Sequence, residues 1–421
     1  MVPTLVKIDF GKPASAQKGI HNRFHPDIPV VASIEPGQIV KVECIDYSGG
    51  QVGNNDCADD ILDLDHSTDH ALSGPFNIVG AEPGDTLAVE VLDVQPSTEQ
   101  PWGYSYIAPG VGSIDDPNDQ DADKRAAKSI WDFHGSSTSS RHIPGVEFQS
   151  RAHPGVLATA PSAELLAAWT KRECELVNNC PHTFVAPLPE AVGAFVNQDD
   201  LPEELRQRIY REGARTGPSR ETAGNIDVGS LVAGSTMYLP VFVPGAKLSV
   251  GDLHFSEADG EPTAAIEMAG ILTMTVSVIK RGVKELGFTS PVYMTSPREV
   301  IYRKQLTFTG ICVSPNGVQH FSDATLAYQN ACWSAMRYLM KFGYSWEQVY
   351  MLMATAPLES RVIATANKPN TVVSLGLPVE IFKFDIMPGN GPIVARDLRK
   401  PAALSPARLA AFLAGSSANG H

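Results

Sequence analysis

Two stretches decide the fold: Glu35-Pro36-Gly37-Gln38 running into residues 39–46, and Glu82-Pro83-Gly84-Asp85 running into residues 86–93. In each, proline presets φ for the second turn position and glycine accepts φ > 0 at the third. After the first turn the residues alternate, with Val40, Val42 and Cys44 interleaved by Lys41 and Glu43, the period of a strand with one buried face. A third turn, Val243-Pro244-Gly245, leads into 247–254, and Leu272, Met274, Val276 and Val278 then alternate with Thr273, Thr275 and Ser277. Repeated Pro-Gly turns feeding short strands favour a sandwich or a barrel.

Helical signals are fewer. Pro161-Ser162 can cap 163–177, and Pro202 can occupy the first turn of a helix through Arg211. Asp323 can cap 324–342 with Gly343 as its stop, and Ser345 with Gln348 resembles a capping box. The expected class is mainly β with a helical C-terminal region. Its expected divisions are a β-sandwich region over 1–185 ending in a helical excursion, a second β-rich region over 186–300 and an α+β region over 301–395. A flexible tail over 396–421 with a helical hint at 408–413 completes the chain.

The 421 residues can bury a catalytic cleft. A formal charge of −14 without a basic stripe argues against a nucleic-acid partner. Cys44, Cys57, Cys174, Cys180, Cys312 and Cys332 form no ladder of short spacings, so they read as reduced thiols. No run of about eighteen apolar residues and no leader-like N-terminus occurs, and a cytoplasmic, non-membrane protein is expected.

The segment 227–267 is the densest source of chemistry, with Asp227, Asp252, His254, Glu257, Asp259, Glu261 and Glu267. Carboxylates with one imidazole suit a divalent cation, zinc first and calcium as the alternative. Asp252 and His254 are two apart, so a strand points both to one face. Glu267 shares its parity with Thr273, Thr275 and Ser277, which puts it on the polar face of a regular strand unless a bulge at Gly270 breaks the pattern. Taken alone, such acids lie on solvated turns, and Gly53-Asn54-Asn55-Asp56 reads equally as a polar turn or as a ligand loop. The sequence contains no Gly-x-Ser-x-Gly, and neither Cys57 nor Cys312 sits in a Cys-His arrangement. Nothing argues for an organic cofactor.

Several strings run in order over most of the chain: His25-Pro26-Asp27, Gly49-Gly50-Gln51-Val52, Asn55-Asp56, His70, Gly80-Ala81-Glu82-Pro83-Gly84-Asp85, His153-Pro154-Gly155, Gly224-Asn225-Ile226-Asp227, Gly251-Asp252-Leu253-His254, Asp259-Gly260-Glu261 and Lys341-Phe342-Gly343-Tyr344-Ser345. Together they resemble the acetamidase/formamidase family, most closely its formamidase branch. The resemblance implies a jelly-roll-like β-sandwich with a second β-rich subdomain, a homo-oligomer, and hydrolysis of small amides to a carboxylate and ammonia, often with a bound divalent metal. It makes formamide the expected substrate. It also implies Asp227, His254 and Asp56 as metal ligands, Glu261 and Asp259 as catalytic acids, and Asn225, His70 and His153 as substrate contacts.

Two departures stand out. Where the branch reads His-Gly-Gly-Asn-Cys-Asp this chain has Thr222-Ala223-Gly224-Asn225-Ile226-Asp227, and its usual Gln-Gly before Asp-Gly-Glu is Glu257-Ala258. The alternatives these leave open are a larger amide, lactam or carbamate as substrate, or a non-catalytic ligand- or metal-binding β-sandwich.

Overall fold

The computed structural model describes residues 2–114, 125–179, 189–198 and 201–416. Cys180 and residues 417–421 of the expected tail lie outside them. The class is the expected one: several sheets, few helices before residue 320, and a helical C-terminal region.

The larger sheet has the order Ile20–His21, Leu72–Ile78, Leu248–His254, Glu267–Met268, Trp102–Ile107, Ala127–His134, Ser137–Ser140 and Glu147–Gln149. The strand His153–Ala158 branches from this path, pairing with Leu248–His254 and with Ala223–Asn225. A five-stranded sheet, in the order Val292–Met294, Thr236–Pro240, Thr86–Pro96, Gly270–Ile279 and Ile39–Cys44, makes the second layer. Side chains at the alternating positions read from the sequence fill the core, with Val40, Val42, Leu87, Val89, Val91, Leu272, Met274 and Val276 all fully buried. At roughly 1.5–3 kcal/mol per buried side chain of this size, this one cluster supplies a substantial part of the driving force.

Three expectations change. The pattern 267–278 is not one strand: Glu267–Met268 pairs with Tyr104 and with Leu253–His254, whereas Gly270–Ile279 pairs with the strands of the other sheet. Parity therefore does not carry from Thr273 back to Glu267, because the chain changes sheet at Ala269. The expected boundary at 185/186 does not separate the sheets, since Leu248–His254 lies between Leu72–Ile78 and His153–Ala158. Part of the expected flexible tail is ordered: Ala402–Ala403 adds an edge strand to Ala127–Lys128, and the Ala58 N–H donates to the Ala403 carbonyl.

The C-terminal region packs the helix Ala324–Met340 on a three-stranded sheet of Gln305–Ile311, Val372–Pro378 and Glu359–Ala364. Asp323 caps that helix by accepting from the Leu326 N–H, and Ser345 with Gln348 forms a full capping box for Trp346–Thr355. Such caps are each worth about 1 kcal/mol. The Ala163–Asn179 and Glu203–Glu212 helices also form, Pro202 standing at the cap of the second. No described helix is long and apolar enough to cross a membrane.

Candidate active site

Three adjacent strands and one loop bring the acids together. Leu248–His254 supplies Asp252 and His254, whose side chains meet with Nε2 3.3 Å from Oδ1, as their spacing predicts. Next to it, Glu267 lies 3.1 Å from the same His254 Nε2. On the other side, His153 places its Nε2 2.8 Å from Glu257 Oε2, and Glu257 in turn lies 3.1 Å from His254 Nδ1. Glu257 thus ties two imidazoles together, so a position where the sequence departs from its resemblance is built into the cluster. The His254 side chain is 1% exposed, those of Asp252 and Glu267 are 3% and 4%, and that of His153 is fully buried.

Backbone strain marks the same residues. Asp227, Asp252 and Glu261 all have positive φ, 44°, 54° and 27°, a conformation costing roughly 1–3 kcal/mol for a residue with a side chain. Glycine would relieve it but would remove the carboxylate. One glycine does contribute by being small: a Cβ on Gly155 would stand 2.7 Å from Asp227 Oδ1 and from Asp252 Oδ2, and 2.8 Å from His254 Cε1.

Charge is managed by protons. Burial pushes Asp227 well above the ordinary carboxylate range, with Glu257 and Asp252 adding to it. Burial, Asp227 and Glu257 do the same to Glu261. Burial lifts Glu267 to about 7 against the pull of His254. At Asp252 burial is outweighed by His254 and His70, and at Glu257 by hydrogen bonds from His153 and His254, so both are held at about 2. Burial disfavours a charged His254, but Glu267 and Asp252 overcome it and hold the imidazolium well above its usual range. Five clustered carboxylates, with Asp252, Glu257 and Glu267 buried and Asp227 and Glu261 half-buried, are tolerable here because some carry protons and three contact the cationic His254 ring.

The donor set fits a cation. Asp227, Asp252 and His254 each offer an atom within 4.8 Å of the others, as do His153, His254 and Glu257, and His254, Glu261 and Glu267. Asp227 Oδ1 and Glu257 Oε1 are buried with no partner among the described residues. Buried oxygens without partners are costly unless something binds them.

A cavity of about 270 Å³ opens beside this cluster, lined by Tyr47, His70, Tyr106, Val111, Gly112, Ser113, Asn225, Asp252, Glu261, Pro262, Thr263, Ala264 and Glu267. A larger hollow, of about 600 Å³, lies between the helices Ala163–Asn179 and Glu203–Glu212 and shares none of these residues. The smaller is the one with convergent acids and perturbed protonation, which makes it the candidate site.

Of the expected residues, Asn225, His70 and Glu261 line this cavity, and Asp227 and His254 belong to the cluster at its side. His153 is not at the cavity wall; it stands behind, on Glu257. Asp56 is not with the cluster. Lys128 binds Gly53 O, Asn55 Oδ1 and Asp60 Oδ2, fixing the turn so that Asp56 points outward with its side chain 73% exposed, toward Arg141 and His142. Asp259 also lies off the cavity wall: its carboxylate accepts the Ser360 N–H at 2.9 Å and anchors a loop. Asp252, Glu257 and Glu267 take the place of those two. The sequence does not single out Tyr47 and Tyr106, although Tyr104 and Tyr106 share one face of their strand by alternation.

The C-terminal region holds the 257–265 loop that carries Glu257 and Glu261. Ala258 and Asp259 N–H groups donate to the carbonyls of Ala354 and Leu358, and the hydroxyls of Tyr328 and Tyr350 donate to those of Asp259 and Pro262.

A small, acid-lined cavity beside a buried carboxylate–imidazole cluster defines a hydrolase site of the kind that activates water against a poor electrophile. The acetamidase/formamidase family model matches residues 7–384. A putative formamidase of Schizosaccharomyces pombe is 46% identical over 405 residues, covering 94% of this chain and 97% of that one. A formamidase of Methylophilus methylotrophus is 44% identical, covering 92% and 96%. Among solved structures, a gamma lactamase from Delftia acidovorans superposes with a TM-score of 0.91 at 42% identity, covering 96% and 100%. The chain belongs to the acetamidase/formamidase family and is an amidohydrolase.

Proposed function

We propose that the protein hydrolyses a short linear amide, formamide foremost, to the carboxylate and ammonia. The observation that carries this reading is the 270 Å³ cavity ending on Glu261, Glu267 and Asp252. With each water taking about 30 Å³, it has room for about nine waters, which fits a small amide with several waters around it.

The substrate's carbonyl carbon sits beside the cluster and its nitrogen toward Glu261. Glu261 Oε1 accepts the Ala265 N–H at 3.1 Å, which fixes the carboxyl and leaves its second oxygen for the substrate. Held protonated by burial and by Asp227 and Glu257, it gives its proton to the departing nitrogen. Glu267 accepts the proton of the attacking water. His70 lines the cavity with its Nε2 3.9 Å from Asp252 Oδ2, and orients the substrate together with Asn225. His153 and Glu257 hold His254 in place. Asp227, Asp252 and His254 would hold a divalent cation, zinc in this reading with calcium the alternative, which supplies Lewis acidity toward the amide carbonyl.

The test is ammonia release from formamide, acetamide, propionamide, a γ-lactam and a carbamate, with the metal content of the protein measured alongside. Formamide turning over fastest supports the reading. No release from any of them by folded, metal-loaded protein overturns it and favours a binding protein. A second reading, ring opening of a γ-lactam, is favoured by the name of the Delftia relative; the same panel ranks the two. The reading includes a cytoplasmic protein, in keeping with free thiols at Cys44, Cys57, Cys174, Cys312 and Cys332. It also includes self-association through the outer face of the C-terminal sheet, where Val362 and Ile363 are 57% and 55% exposed; sedimentation of the full chain tests that.

A further inference from the structure

One wall of the cavity has no part in the chemistry above. Tyr47 and Tyr106, 6% and 3% exposed, line it beside His70, Glu261 and Glu267. Their hydroxyls are 2.6 Å apart, Tyr47 donating to Tyr106. Each phenol has one proton, so the pair uses one internally and keeps one. Among the described residues neither hydroxyl has a further hydrogen-bond partner. Burial, reinforced by the acids nearby, raises both phenols above their ordinary value, so the second proton stays in place. Tyr104 differs: its hydroxyl donates to Asp46 Oδ1 at 2.8 Å and it does not line the cavity.

The same lining holds acceptors: the carboxylates of Asp252, Glu261 and Glu267, and the buried Asn225 side-chain oxygen, which has no partner among the described residues. A primary amide has one carbonyl acceptor at one end and two N–H donors at the other. A lining that offers one spare hydroxyl proton together with several acceptors matches that complement of groups.

We infer that the Tyr47–Tyr106 hydroxyl pair binds the substrate's carbonyl oxygen, donating its spare proton while the amide nitrogen faces Glu261 and Asn225. The inference rests on the amide reading above and deepens it. The bond strengthens as the carbonyl oxygen becomes anionic, so the pair contributes to turnover as well as to binding.

The proton count makes the test distinctive. In Tyr47→Phe or Tyr106→Phe one hydroxyl remains, no longer donating to its neighbour, so one free proton is still available. In the double variant none is. Each single variant should keep kcat/KM for formamide within about threefold, and the double variant should lose about 10²–10³-fold, far more than the two single losses multiplied. A second readout needs no turnover: calorimetric binding of acetamide against thioacetamide, whose sulfur is a poorer acceptor. The preference for acetamide should persist in both single variants and in Tyr104→Phe, and collapse in the double variant. If the double variant does not fold, a 3-fluoro group on Tyr106, which makes a stronger donor of nearly the same shape, should raise the preference instead. Losses that simply multiply, a preference unchanged in the double variant or by fluorination, or no preference in the unsubstituted protein each overturn the inference. Failure of the amidase reading looks different: no ammonia release from the unsubstituted protein, with the binding preference intact and still dependent on the pair.

Discussion

Replacing Gly155 by alanine should silence the enzyme without unfolding it. Gly155 sits inside the strand His153–Ala158, between Ala223–Asn225 and Leu248–His254, so the backbone around it is pinned on both sides. Its φ is not among the positive ones, and alanine fits the backbone. The methyl does not fit the site. It would stand 2.7 Å from Asp227 Oδ1 and Asp252 Oδ2 and 2.8 Å from His254 Cε1, where ordinary contact begins near 3.4 Å. All three groups must therefore retreat by roughly 0.6–0.7 Å, together, from the donor set that would hold the cation. Displacements approaching 1 Å in a reacting constellation cost about 10²-fold in rate, and overpacking costs about 1–3 kcal/mol in stability. The assay is kcat/KM for formamide with metal content and near-ultraviolet circular dichroism on the same sample. We expect at least a 50-fold loss, reduced metal and an unchanged fold. Full activity with full metal content refutes the assignment of Asp227, Asp252 and His254 as one working group.

Glu261→Gln should lower kcat by about 10²–10⁴-fold with KM little changed; a changed KM with normal kcat would assign Glu261 to binding alone. Asp56→Asn should leave metal content and kcat within about twofold, since the side chain is 73% exposed and away from the cluster; loss of metal would restore Asp56 as a ligand. His21 gives a pH dependence of stability. Its buried ring donates Nδ1–H to the Arg23 carbonyl and accepts from Ser249 at Nε2, and burial lowers it to about 4. The neutral form is the folded one, so its contribution is full above pH 6.5 and falls as the pH drops toward 4. The loss is about 3 kcal/mol over that window. Denaturant unfolding at pH 7 and pH 4.5 should show a smaller difference for His21→Gln than for the parent protein.

Three strands of the second sheet are legible because each carries its own signal: the Pro-Gly turns before Ile39 and Thr86 and the alternation of Leu272, Met274 and Val276 need no knowledge of partners, whereas Thr236–Pro240 and Val292–Met294 carry no such signal. The caps at Asp323 and Ser345 were legible for the same reason, being local. What failed was anything decided by a neighbour distant in sequence. Nothing in the local pattern tells that the chain changes sheet at Ala269, because Glu267 is placed by Tyr104 and His254. Asp56 looks like a ligand until Lys128, a strand away, is seen to fix its turn. The 227–267 segment is readable as a concentration of acids, yet separating Asp252 and Glu257, which cluster, from Asp259 requires knowing that Ser360 claims the Asp259 carboxylate. Tyr47 and Tyr106 are 59 residues apart and make no pattern together.

The fastening of the 257–265 loop to Ala354, Leu358, Tyr328 and Tyr350 also sets an order of events during synthesis. Both sheets can begin to pair once the strand Gly270–Ile279 has left the ribosome, but the loop's hold on the C-terminal region is complete only when Leu358 emerges, about 80 residues later. At about 5–20 residues per second that delay is roughly 4–16 s. Competence for catalysis thus reports that the last third of the chain has arrived and docked.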